Sequence, residues 1–113
     1  MSASVYKGNT TGSGTIAATM AVPVGKHYQV VSVSVTYHIA PVTSEDLAIT
    51  LDANAGGTYD VRLYTVDPSA PAVTSLLWQP DEPLILEGGD AVDVDYPNTD
   101  KRTYTVQITM QLV

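Results

Sequence analysis

Alternation of apolar and polar positions runs through most of the chain. The longest case is residues 28–39, YQVVSVSVTYHI. Gln29, Val31, Val33, Val35, Tyr37 and Ile39 fall on one side; Tyr28, Val30, Ser32, Ser34, Thr36 and His38 fall on the other. A period of two with β-branched and aromatic residues predicts a half-buried strand. At roughly 3.3 Å per residue it would reach about 40 Å, long enough to bend or bulge midway. The same reading gives strands over 15–22, 47–52, 59–64, 74–79, 84–87, 90–96 and 103–113. Val92, Val94 and Tyr96 are expected to face inward, Tyr104, Val106, Ile108, Met110 and Leu112 to share one face of the last strand, and Val33, Val35, Val61, Val94 and Ile108 to lie in the core.

Turn chemistry separates these runs. Pro23–Lys26, the DPSAPA run at 67–72 and QPDEP at 79–83 cannot continue a ladder. Asp52-Ala53-Asn54-Ala55-Gly56-Gly57 joins two strands as a hairpin, and Gly88-Gly89 reads as a second hairpin turn. Residues 1–14 are rich in Ser, Thr, Gly and Asn, lack periodicity, and are expected to be a flexible arm before a domain over 15–113. About eight strands and no helical pattern predict an all-β antiparallel sandwich of the jelly-roll kind. A seven-stranded immunoglobulin-like sandwich is the alternative, without the Cys…Trp…Cys spacing of true immunoglobulin domains.

Composition narrows the function. The 113 residues make one domain with no Cys, so disulfides and thiolate metal sites are excluded. A net charge of −7 disfavours binding to a phosphate backbone, so no nucleic acid is expected. No apolar run reaches the length of a membrane span, and the first residues lack the apolar core of a signal peptide, so synthesis in the cytoplasm without membrane insertion is expected. Asn9-Thr10-Thr11 fits a glycosylation sequon, read as chance without an export signal.

Candidate chemistry is sparse. His27 and His38 lack the partners of a triad or an H-x-x-x-H pair, so no catalytic residue is assigned. Asp52-x-Asn54-x-Gly56 opens like a calcium loop, but the closing Glu would fall on Leu63, so it reads as a self-capping turn. Asp90, Asp93, Asp95 and Asp100 read as a solvated acidic group, with Ca²⁺ the less favoured reading. No metal or cofactor is expected. Trp78 with Tyr28, Tyr64 and Tyr96 could form a platform for stacking sugars. Only 15% of residues are charged, and Ser32, Ser34, Thr36, Thr103, Thr105 and Thr109 make hydroxyl-rich strand faces suited to packing on other proteins. Val5, Tyr6 and Lys7 in the arm, Trp78, and the apolar end Leu112-Val113 are the expected partner contacts. The last strand, read as a sheet edge without a polar tail, needs a cover, which predicts a homo-oligomer, a trimer for preference.

The segments VPVGKHYQVVSVSVTY, LILEGGDAVDVDYPN and TYTVQITM, with a Gly89-Asp90 turn leading into an alternating strand, resemble small jelly-roll-like structural proteins of tailed-bacteriophage virions. The resemblance covers about Gly14 to Val113. It implies a non-enzymatic virion protein, of the capsid-decoration, head-fibre or neck type, contacting other virion proteins after synthesis in the host cytoplasm. The alternative expectation is a carbohydrate- or receptor-binding β-sandwich module. A small jelly-roll enzyme is disfavoured, because a metal site of that type needs more histidines than two.

Overall fold

The computed structural model describes residues 5–113, with backbone only for residues 5–7. Among the described residues, nine strands and one short 3-10 turn make up the regular structure. In chain order they are β1 (Val5–Gly12), β2 (Ile16–Ala21), β3 (His27–Tyr37), β4 (Leu47–Asp52), β5 (Val61–Val66), β6 (Ser75–Trp78), β7 (Ile85–Glu87), β8 (Ala91–Tyr96) and β9 (Tyr104–Leu112), with the 3-10 turn at Gly57–Tyr59. One sheet has the order β1-β9-β3-β6, with short β7 also paired to β3; the other has the order β2-β8-β4-β5. Every pairing is antiparallel. Apart from the paired β4 and β5 and the neighbours β6 and β7, successive strands pass from one sheet to the other, in the double Greek-key pattern of a jelly roll. Among the described residues no helix is long and apolar enough to cross a membrane.

The core follows from the period of two. β2 buries Ile16, Ala18 and Met20, β8 buries Val92, Val94 and Tyr96, and β9 buries Tyr104, Val106, Ile108 and Met110. Val33, Val35, Val94 and Ile108 lie in this core as the pattern predicts.

Five expectations are corrected. The flexible arm gives way over Val5–Gly12 to β1, paired along its whole length with β9 from Val5↔Gln111 to Gly12↔Tyr104. Two of its positions are glycines because neighbours fill their space: a Cβ on Gly8 would stand 3.3 Å from the Met20 sulfur, and one on Gly12, the strand's last residue, 3.1 Å from the Tyr104 hydroxyl. Residues 1–4 of the arm lie outside the described residues.

Second, β3 slips by one residue between Val30 and Ser32. Val30 and not Val31 therefore joins the core, and Val31 is exposed. Two residues of β3 face one of β9 there, as in a bulge. β3 also ends at Tyr37, so Ile39 is exposed rather than inward. Third, the segment expected as strand 59–64 begins later, as β5, and a register shift between Ile49 and Thr50 leaves Leu63 as the extra residue. Val61 is 49% exposed and is not core.

Fourth, Gly88-Gly89 is no hairpin, since β7 belongs to the first sheet and β8 to the second. The turn is a corner packed on the one at residues 23–25. The Gly89 N–H donates to the Val22 carbonyl (2.9 Å) and the Val22 N–H to the Asp90 carbonyl (2.8 Å). A Cβ on Gly88 would meet Pro23, Val24 and Gly25 backbone at 2.9 Å, which only glycine avoids. Fifth, β9 is no edge: it lies between β1 and β3.

Candidate functional site

The sandwich has one end held by a dense set of side-chain clamps. Asp100 accepts from the N–H groups of Val42 (2.9 Å) and Thr43 (2.8 Å) and from the Thr43 hydroxyl (2.7 Å). Glu45 accepts from the Thr99 N–H (2.9 Å) and hydroxyl (2.6 Å). Asp67 accepts from Ser44 (2.6 Å) and from the N–H and hydroxyl of Ser69 (2.9 and 2.7 Å). These donors hold the Asp67 carboxyl down at about 2, the Ser44 hydroxyl first among them. They lower Asp100 too, through the Thr43 N–H above all. The Thr103 N–H donates to His38 Nδ1 (2.9 Å), so His38 is a loop clamp. His27 opens β3 and His38 follows its last residue, so the two histidines lie at opposite ends of an 11-residue strand and cannot act together.

The acidic groups divide between turns and one sheet face. Asp90 closes its corner by accepting from the N–H groups of Asn54 (2.9 Å) and Glu87 (3.0 Å). The turn at residues 52–57 is capped from outside rather than by its own Asp52 and Asn54: Asp60 accepts from the Ala53 N–H (2.8 Å), beside the Asp90 bond to Asn54. On β8, Asp93 accepts from the Thr19 hydroxyl (2.7 Å). Asp95 is raised from the ordinary carboxylate value by partial burial and by Asp93, against the pull of Arg62. Asp52 is raised by Asp60 and then Asp93. Asp93 and Asp95 thus put negative charge on the outer face of β8, with Asp52 at the end of neighbouring β4. Among the described residues no group of three or more His, Asp or Glu is placed to hold a metal ion.

The outer face of the first sheet is the opposite. None of the twelve acidic residues falls in β1, β3, β6 or β9; Glu87, on short β7, is the first sheet's one acidic strand residue. The register sets Thr11, Thr105, Thr36 and Ser75 in one row across four strands, and Asn9, Gln107, Ser34 and Leu77 in the next. Thr109 and Ser32 continue the pattern. These are the residues that alternate with the buried set of β3 and β9, so these rows carry hydroxyls, amides and an exposed leucine, while the sheet's charged positions lie at its margins: Lys7 in β1, opposite Thr109, and exposed Glu87 on β7, opposite His27.

The third feature lies where the edge strands β5 and β6 meet. Tyr64, opposite the buried Ile49, and Trp78, opposite the buried Val33, both turn between the sheets. Their rings stack at 6.4 Å with an interplanar angle of 26°. A cleft of about 530 Å³ opens beside them toward residues 79–84.

The expected contact residues do not form one site. The backbone of Val5, Tyr6 and Lys7 stands opposite Gln111, Met110 and Thr109, and their side chains lie outside the described residues. Leu112 and Val113 are exposed at the end of central β9, and the Val113 N–H donates to the His27 carbonyl (3.0 Å). Trp78 is half-buried at the far edge. Of the three expected tyrosines only Tyr64 joins it. Tyr96 is buried against Tyr37 at 5.9 Å, edge to face, and Tyr28 lies on β3. Sequence reasoning missed Asp81 and Glu82, whose only signal was a pair of prolines around them.

No family model matches the chain, and no curated protein matches it. Among solved structures, the periplasmic inhibitor of g-type lysozyme PliG from Aeromonas hydrophila is similar with a TM-score of 0.36 and 13% identity, over 95% of this chain and 84% of that one. A likeness of that size assigns no family.

Proposed function

We propose that this protein is a non-catalytic structural subunit, a virion component of the capsid-decoration or head-associated kind, that acts by laying the outer face of its first sheet on other virion proteins. The observation that supports this reading is the segregation of charge. All twelve carboxylates lie outside β1, β3, β6 and β9, on a protein of net charge −7. Burying a charge without a partner costs several kcal/mol, roughly, so an acidic protein docks most readily by the rows of β1, β9, β3 and β6, away from Glu87 on β7 and the Asp81-Glu82 loop. Hydroxyls and amides in rows offer hydrogen bonds at the ~4.8 Å strand spacing, which a neighbouring β surface can match. A second copy could supply that surface, in a cyclic homo-oligomer.

The test places charge on the face without touching the core. Thr36→Glu with Gln107→Glu changes surface positions in two adjacent strands, while Asp93→Ser on the other sheet is the control. Mass spectrometry of purified particles and sedimentation of the free protein read incorporation and self-association. Loss of both in the double variant, with an unchanged melting temperature, is the expected result. Full incorporation of the double variant would remove this face from the interface.

A further inference from the structure

We infer that the cleft between β5 and β6 is a binding site for a neutral oligosaccharide. One wall is aromatic: Tyr64, itself stacked on Trp78, with Leu63 beside it. The facing wall is the loop of residues 79–83, which presents Gln79, Asp81 and Glu82. All three of those side chains are exposed and accept or donate hydrogen bonds at the rim of an apolar floor. Pyranose sugars need this combination. Their C–H faces are apolar and pack on an aromatic ring, while their equatorial hydroxyls need acceptors at the edge.

Three further observations narrow the ligand. The cleft lining contains no Lys, Arg or His, and two carboxylates face it, so sialic acids, uronates and phosphates are repelled. Its volume of about 530 Å³ admits more than one sugar ring. The same loop walls a second cleft of about 390 Å³ on its other side, where Gln29, Gln79 and Gln111 bring amides to the same two carboxylates. Two clefts sharing one loop fit a chain of sugars, with the aromatic cleft holding one end and the amide cleft the next units.

The loop is built to stay in place. Pro80 and Pro83 bracket Asp81-Glu82 and fix φ on both sides of the pair. The Val30 N–H donates to the Leu84 carbonyl (2.9 Å), tying the loop's exit to β3. A preformed acid pair loses little conformational freedom when a sugar binds.

Trp78 is the single tryptophan, so its emission reports on the cleft directly. The experiment titrates the full chain with cellobiose, maltose, lactose and N,N′-diacetylchitobiose, with glucuronate and choline as controls, followed by a neutral-glycan array. A saturable change in emission with at least one neutral sugar is expected, together with none for glucuronate. Tyr64→Ala should weaken that binding more than tenfold. Because Tyr64 also covers the sandwich edge, the decisive variant is Asp81→Asn with Glu82→Gln, at exposed loop positions that leave the melting temperature unchanged. It too should weaken binding at least tenfold. Silence across the sugars and the array, or full affinity in the acid double variant, overturns the inference. A response to choline with none to the neutral sugars also overturns it, by showing that the aromatic and acidic walls select a cation.

Discussion

Replacing Asn98 tests how the clamped end of the sandwich is held. Asn98 is 2% exposed and is the one buried polar residue among those described. Its amide N–H groups donate to the carbonyls of Gly14 (2.9 Å), Arg102 (3.0 Å) and Ser13 (3.2 Å), and its Oδ1 accepts from the Arg102 N–H (3.0 Å). Two N–H donors serve three carbonyls, so the set counts as about three good bonds, each worth about 1 kcal/mol net when buried. The residue also sits at φ 54°, the left-handed region, where alanine costs about 1 kcal/mol. Asn98→Ala should therefore lose about 4 kcal/mol. Asn98→Gly keeps the backbone freedom and loses the bonds, so it should lose about 3 kcal/mol. Urea denaturation followed by Trp78 emission gives both values. A loss below about 1 kcal/mol for alanine would show that the four contacts add nothing beyond what water supplies. A glycine variant less stable than the alanine one would show that the dihedral is not part of the residue's work.

Three other outcomes are expected. A chain beginning at Gly14 lacks β1 and uncovers one edge of β9, so it should melt far lower than the full chain and bind an amyloid dye on warming; an unchanged melting temperature would mean that β1 is dispensable. Asp67 titrates below its unfolded value of 3.8, so the stability from its Ser44 and Ser69 bonds is complete above that value and drains away as the pH falls toward about 2; Asp67→Asn should flatten this acid limb in pH-dependent urea melts. Burial, then Tyr37's neighbour Tyr96, raises the Tyr37 phenol above the ordinary range, and burial followed by Glu45 pushes Tyr96 up to about 12. Both stabilise the fold fully below pH 10 and less as the pH climbs past it, so tyrosinate absorbance should show two of the seven tyrosines ionising only with alkaline unfolding.

Strands whose pattern lies in their own residues were legible. Ile16, Ala18 and Met20, or Tyr104 to Met110, alternate cleanly and bury as read. β1 was not legible, because its inward positions Gly8 and Gly12 are blank where Met20 and Tyr104 reach across. The hydrophobic signal for that strand sits on its neighbours, and glycine in sequence reads as freedom when here it is room. A bulge in β3 was expected from its length, but its place was not legible, because Val30 and Val31 are equally apolar and only pairing to Ile108 and Met110 chooses between them; the bulge in β5 gave no signal at all. Gly88-Gly89 carries the same local signal for a hairpin and for a corner, and which sheet receives the next strand is a long-range choice. At the edge cleft, Trp78 was visible as an aromatic, but its pairing with Tyr64 depends on two edge strands meeting across the sandwich.

The position of β9 bears on how the protein is made. It is the last of the nine strands to leave the ribosome, yet β1 and β3 both pair with it and have no contact with each other in the sheet. Until residues 104–112 emerge, the first sheet has no middle. The nascent chain must hold β1 and the apolar side of β3 open until β9 emerges, and closure then joins segments about a hundred residues apart. Closure of the first sheet is thus a late, long-range step. Synthesis rate and chaperone supply, more than final stability, should set the yield of soluble protein.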